Sequence, residues 1–155
     1  MATFRLATYN IHKFVGADGK WNPDRVVSVI HAIDAGVVAI QEFTIDASQS
    51  NPPSPKDFAD ASGYRVVEQK MRRRGGQTQY NLLLTRAEIR GAELLPLRVA
   101  GVEERGAIVA EIDGLRIAAT HLGLTPGARR RQLAMLLNGM KYDNTPLVLM
   151  GDTNM

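Results

Sequence analysis

Hydrophobic and polar positions change period several times along this chain, and each change marks an element. Phe4 to Ile11 alternates well enough for a strand, and Val37-Val38-Ala39-Ile40 is an unbroken apolar run suited to a strand buried on both faces. Between them Val26, Val27, Ile30 and Ile33 recur at helical spacing. Asn22 is a natural N-cap with Pro23 at the first helical position, so the spacing predicts a helix from Pro23 that Gly36 stops. Asp46 to Pro55, rich in Ser, Asn and Pro, reads as a loop, and Ser54 caps a short helix over Pro55 to Ser62. Tyr64 to Glu68 and Gln79 to Thr85 are two further strands, separated by a hairpin tip at Arg72-Arg73-Arg74-Gly75-Gly76 whose glycines supply positive φ. Ala107 to Ile112 and Leu115 to Thr120 flank Asp113-Gly114, the strongest short hairpin signal in the sequence. A last helix opens at Thr125-Pro126 with Leu133, Leu136, Leu137 and Met140 as its buried stripe, and Leu147 to Met150 is the last strand. This order predicts an α/β or α+β domain with mixed sheets over residues 1–155, without internal repeats.

Composition narrows the chemistry. The chain has 155 residues, 45% hydrophobic and 23% charged, the balance of one soluble globular domain. With no cysteine there is no disulfide framework, thiolate zinc site or cysteine nucleophile, so any metal is held by oxygen or imidazole, which favours a hard ion such as Mg²⁺. Nineteen Lys and Arg against 16 Asp and Glu give a net charge of +3, a mild affinity for anions that permits a phosphate-bearing substrate. No charged head and apolar stretch of a secretion signal opens the sequence, and no apolar run approaches the roughly 20 residues of a membrane-spanning helix, so a cytoplasmic protein is expected.

Candidate chemistry gathers at strand ends. Asn10, Glu42, His121 and the pair Asp152 and Asn154 each follow a predicted apolar strand, and strand ends on one sheet edge converge on a crevice. A carboxylate with an amide carbonyl suits Mg²⁺, and further amide and imidazole donors suit the charge that builds on phosphoryl oxygens. Singly, each residue has a plainer role: Asn10 and the Gly151-Asp152-Thr153-Asn154 segment as turns, Glu42 as the first solvated residue, His121 as an edge histidine. His12 lines the same crevice if the chain stays extended, whereas His31 falls on the solvated face of its helix. Arg72 to Arg74 and Arg129 to Arg131 are cationic patches of the kind that is usually solvated, and with 6% aromatic residues the chain offers no stacking platform for single strands.

The sequence Thr8-Tyr9-Asn10-Ile11-His12-Lys13, then Val38-Ala39-Ile40-Gln41-Glu42, then Asn81-Leu82-Leu83-Leu84-Thr85-Arg86, then Ala119-Thr120-His121-Leu122-Gly123-Leu124 with Arg129 to Gln132, and finally Leu149-Met150-Gly151-Asp152-Thr153-Asn154 resembles the successive motifs of the endonuclease/exonuclease/phosphatase superfamily. The resemblance implies a four-layered α/β sandwich that cleaves phosphate esters with Mg²⁺ or Mn²⁺. It implies Glu42 as principal metal ligand with Asn10 as companion, and His121 on the scissile phosphate. Asp152 would orient or activate the attacking water, Asn154 would hold a phosphoryl oxygen, and Asn81 would lie near the site. The substrate it implies is a phosphate ester: a nucleic acid, a phospholipid or a small phosphodiester. The Ser-Asp-His type motif that closes the superfamily pattern has no counterpart in residues 1–155, so the resemblance implies the N-terminal portion of such an enzyme, a sandwich incomplete at its C-terminus. Two expectations follow from that: self-association through an uncovered sheet face, and, as the alternative to turnover, a fragment or phosphate- or nucleic-acid-binding module that keeps the metal ligands without the general base.

Overall fold

The computed structural model describes residues 4–141 and 143–155. It opens with β1 (Leu6–Asn10), α1 (Pro23–Ile33) and β2 (Val37–Asp46), followed by α2 (Pro55–Ser62), β3 (Arg65–Arg74), β4 (Gln77–Thr85) and β5 (Ile89–Pro96). β6 (Gly106–Ile112), β7 (Leu115–His121), α3 (Pro126–Gly139) and β8 (Leu147–Asp152) complete it. Two mixed sheets result, in the orders β1-β2-β4-β3 and β5-β6-β7-β8, with β1 parallel to β2, β7 parallel to β8 and the other pairs antiparallel.

The alternation of side chains explains the layering. In β2, Val38 and Ile40 face outward under α1 and α2, where Val26, Ile30, Phe43 and Phe58 also pack, while Val37 and Ala39 face inward with Leu83 of β4. Ile108, Ala110 and Ile112 of β6 and Ile117 and Ala119 of β7 meet them from the second sheet. The alternate residues Ala107, Val109 and Ala118 face the other way, onto Leu136 of α3 and its C-cap Met140. The order of layers is therefore helices, sheet, sheet, helix, the four-layered sandwich. A segment buried on both faces favours apolar side chains at successive positions, which is why residues 37–40 of β2 and 107–110 of β6 read as continuous runs.

Local chemistry fixes the ends of the elements. Asn22 Oδ1 accepts the Arg25 N–H at the start of α1, and Ser54 and Asp57 form a reciprocal capping box at α2. Gly75 and Gly76 (φ 54° and 78°) and Asp113 and Gly114 (φ 50° and 75°) turn the two expected hairpins with positive φ at both central positions. Several boundaries differ from the sequence expectation. α1 ends at Ile33 because Asp34 takes the left-handed conformation (φ 47°), before Gly36 is reached. Arg72, Arg73 and Arg74 belong to β3 and are not the hairpin tip. β5 is an extra strand, an edge whose side chains are mostly exposed and whose Gly91 and Ala92 hide any alternation. The buried stripe of α3 is Ala128, Gln132 and Leu136, while Leu133 is half-buried and Leu137 exposed. Gln132 takes the inward position because its Oε1 accepts the Gly123 N–H at 2.7 Å.

The uncovered sheet face expected from the sequence is not present among the described residues. Both sheets are contributed by this chain and they cover each other's inner faces. The exposed large apolar side chains include Leu147 and Leu149 on β8 and Met135 and Leu137 on α3. No helix among the described residues is long and apolar enough to cross a membrane.

Candidate active site

The carboxyl ends of β1, β2, β3, β7 and β8 and the amino ends of β4 and β6 all lie at one rim, because the first group runs antiparallel to β4 and β6. A crevice of about 320 Å³ opens there, lined by Asn10, His12, Glu42, His121, Asp152 and Asn154 together with Lys13, Arg72, Gln79, Glu103, Arg105 and Leu124. Six of the seven residues singled out in the sequence therefore meet. Asn81 does not line the crevice: it is buried on β4, and its Nδ2 donates to the Gly106 carbonyl (3.4 Å) and to Gln69 Oε1 (3.5 Å), joining the sheets beneath the rim.

Backbone irregularities aim the central groups. Glu42 does not end its strand: β2 continues to Asp46, and the register against β4 shifts between Ile40 and Phe43. Glu42 sits in that bulge with φ 59°, and the bulge turns its carboxylate to the rim while Phe43 remains in the core. After β1 the chain reverses through a left-handed turn at His12, Lys13 and Phe14 (φ 45°, 56° and 66°), which leaves His12 exposed and Phe14 buried. At the end of β8, Gly151 (φ 136°) lies so close to β7 that an added Cβ would stand 1.8 Å from the Thr120 carbonyl oxygen. That approach sets Asp152 beside His121 in the parallel register.

The polar network ties the two sheets together. Asn10 Nδ2 donates to Glu42 Oε1 at 3.0 Å and to Asp152 Oδ2 at 2.9 Å, while its Oδ1 accepts the His12 backbone N–H at 3.0 Å. Asp152 Oδ1 accepts the Asn154 backbone N–H at 3.0 Å, and Asn154 Nδ2 donates to the Leu122 carbonyl at 2.7 Å, so Asn154 braces the ends of β7 and β8. His121 Nε2 lies 3.7 Å from Asp152 Oδ2, and His12 Nδ1 lies 3.8 Å from Glu42 Oε2. Burial lowers the pKa of His121, and the Arg105 cation adds to that against the carboxylates of Asp152, Glu42 and Glu103, so its imidazole is neutral at pH 7. Burial raises the pKa of Asp152, but hydrogen bonds from Asn10 and Asn154 and the charges of His121 and Arg105 outweigh it and hold the carboxyl below its ordinary value.

Among the described residues no three His, Cys, Asp or Glu side chains stand as a ready ligand set. The donors present nonetheless fit a hard divalent cation: Glu42 and Asp152 bring two carboxylates to one amide, and Mg²⁺ commonly takes one or two protein carboxylates and fills its shell with water and phosphate. Asn10 turns its Nδ2 toward the carboxylates here, so ligation by its oxygen requires the amide to turn over and give up the bond from His12.

Sequence reading missed Arg105, which is 7% exposed and lines the crevice. It immediately precedes β6, and since Ala107 pairs with Thr120, strand order alone sets it beside the end of β7 that carries His121. Arg105 Nη2 pairs with Glu103 Oε2 at 2.7 Å, and the other Glu103 oxygen is held by Arg72, so one arginine of the first triplet is not merely solvated.

Comparison with known proteins accords with this architecture. The Endonuclease/Exonuclease/phosphatase family model matches residues 7–155. The uncharacterized protein YbhP of Escherichia coli (strain K12) is 26% identical over 170 residues, covering 98% of this chain and 67% of that relative. An endonuclease/exonuclease/phosphatase from Beutenbergia cavernae DSM 12333 superposes with a TM-score of 0.79 at 27% identity, over 98% of this chain and 47% of that one. D. rerio TDP2 complexed with single strand DNA product superposes at 0.68 with 15% identity, over 98% and 61%. The chain thus spans about half the length of the first of these structures. With the motifs in order, the four layers in place and the family model matched over nearly its whole length, this chain belongs to the Endonuclease/Exonuclease/phosphatase family.

Proposed function

We propose that this chain binds a divalent cation, Mg²⁺ or Mn²⁺, at Glu42 and hydrolyses phosphate esters at the rim where β1 and β8 meet. The observation that carries the reading is the Asn10 amide shared between Glu42 of the first sheet and Asp152 of the second, which draws two carboxylates to one point. When bound there, such a cation would supply Lewis-acid polarisation of the phosphoryl group and offset its charge. Glu42 holds the cation, and Asn10 orients both carboxylates. Neutral His121 donates an N–H to a phosphoryl oxygen as charge develops on it, and ionised Asp152 orients the attacking water and accepts a hydrogen bond from it. One N–H of Asn154 Nδ2 is bound to the Leu122 carbonyl and its backbone N–H holds Asp152, so the second N–H of the amide is the donor it offers a phosphoryl oxygen. His12 stands at the mouth beside Glu42, and Asn81 acts on substrate only through the sheet contacts beneath the rim.

Hydrolysis of bis(p-nitrophenyl) phosphate with and without Mg²⁺ tests the reading. Turnover is expected to depend on the cation and to fall by about 10²-fold or more in Glu42→Gln and in His121→Ala. Turnover that persists in a chelator, or that both variants retain, contradicts it.

A further inference from the structure

A second cavity of about 310 Å³ adjoins the crevice and shares Lys13, Arg72 and Gln79 with it. Arg74, Thr44, Gly75 and Gln77 complete its lining, so it contains three cations and no carboxylate. Asp46, two residues beyond Thr44, has its carboxylate bound by Gln77 Nε2 at 2.8 Å and by Ser48.

The cations reach this lane through a particular device. The register of β3 against β4 shifts between Lys70 and Arg72, and beyond the shift Arg72 pairs with Gln79 and Arg74 with Gln77. Before the shift, buried Gln69 pairs with buried Asn81 on the face between the sheets. Gln79 and Gln77 lie two and four residues before Asn81 on β4 and share its face, so Arg72 and Arg74 share it too. Unbroken alternation from Gln69 would have sent both arginines to the opposite face. At the inner end of the lane, Arg105 is almost wholly buried, and its Nε has no hydrogen-bond partner among the described residues. Arg105 and Arg72 share the single carboxylate of Glu103, which leaves positive charge in excess at this end of the lane, suited to an anion.

We propose that this lane, from Arg105 through Arg72 and Lys13 to Arg74, is a subsite for a second phosphate group on the substrate, beside the one at Glu42 and His121. It rests on the hydrolase reading above for the position of the first phosphate. The lane contains no aromatic side chain, so it recognises charge rather than a base or ring.

Binding in a chelator, where cation-dependent turnover is stopped, separates the two readings. The dinucleoside monophosphate TpT and its phosphorylated form pTpT are titrated calorimetrically against the whole chain at low salt. The second phosphate is expected to tighten binding about tenfold, and Arg74→Ala is expected to erase that difference. Arg130→Ala, which removes an exposed charge on α3 outside both cavities, is expected to leave it intact. Inositol bisphosphate, titrated in parallel, binding more tightly than pTpT assigns the second phosphate to a sugar headgroup, and the reverse assigns it to a nucleotide chain. Equal affinity for TpT and pTpT overturns the proposal, as does an Arg130→Ala loss as large as that of Arg74→Ala, since general attraction to a cationic surface then accounts for the binding. Turnover with no second-phosphate preference defeats only this inference, and a clear preference without turnover under Mg²⁺ defeats only the hydrolase.

Discussion

Glu42 occupies the left-handed region at φ 59° inside a strand, where an ordinary side chain is disfavoured by about 1 kcal/mol relative to glycine. Glu42→Gly is therefore expected to resist urea better than Glu42→Ala by ~1 kcal/mol, although both remove the carboxylate. Equal or reversed midpoints would show that the bulge is not strained. His121 makes a second prediction at this scale. Its folded pKa lies below the ordinary histidine value of 6.5, so below that pH the unfolded chain takes up a proton that the folded chain resists. Its contribution to stability is complete above the unfolded value and declines as the pH falls below it. Asp152 acts in the same direction at lower pH: its depressed pKa stabilises the fold above the unfolded value and that gain is lost as pH falls through the folded one. An NMR titration of His121 is expected to give a midpoint below 6.5, and Arg105→Gln to raise it by removing the neighbouring cation. A midpoint at or above 6.5 in the native chain would contradict the buried, cation-flanked placement.

Elements whose signals are local were legible in the sequence, and those that depend on pairing with distant strands were not. Asn22-Pro23, Ser54-Pro55 and Thr125-Pro126 announce helices by the chemistry of their own caps, and Asp113-Gly114 and Gly75-Gly76 announce hairpins by permitting positive φ. The bulges at Glu42 and before Arg72 leave no such mark, since a bulge is a relation between two strands. Arg105 leaves no mark in the sequence either, because its burial and the sharing of Glu103 with Arg72 of β3 arise only when the sheets stack. The stripe of α3 was misplaced because an inward Gln132 reads as polar until Gly123 is found against it. Asn10, Glu42, His121 and Asp152 share one crevice, as their places after apolar runs predict, although Glu42 sits within its strand. Gly151 sets how closely β8 approaches β7. Gly151→Ala places a methyl against the Thr120 carbonyl, so β7 and β8 must part, and a loss of about 3 kcal/mol or more is expected in thermal unfolding. A near-native melting temperature would mean that the strands are not held this close.

The whole molecule is a pair of sheets whose inner faces hold each other in place, and the crevice lies at their shared rim. Leu83 stands fully buried between the sheets against residues of β6 and β7, so Leu83→Ala is expected to cost about 3 kcal/mol and to weaken cation binding with it, because the rim is only as well positioned as the stacking. Denaturant unfolding followed beside Mn²⁺ affinity would check both. Charge is distributed to match: the cationic residues Lys13, Arg72, Arg74 and Arg105 line the two cavities at one rim, in a chain whose net charge is only +3. Glu42 of the first sheet and Asp152 of the second converge on one cation position, and a Mn²⁺ titration read by electron paramagnetic resonance checks this. A single Mn²⁺ site per chain is expected, lost in Glu42→Gln and weakened in Asp152→Asn. Mn²⁺ binding indifferent to both substitutions would contradict it.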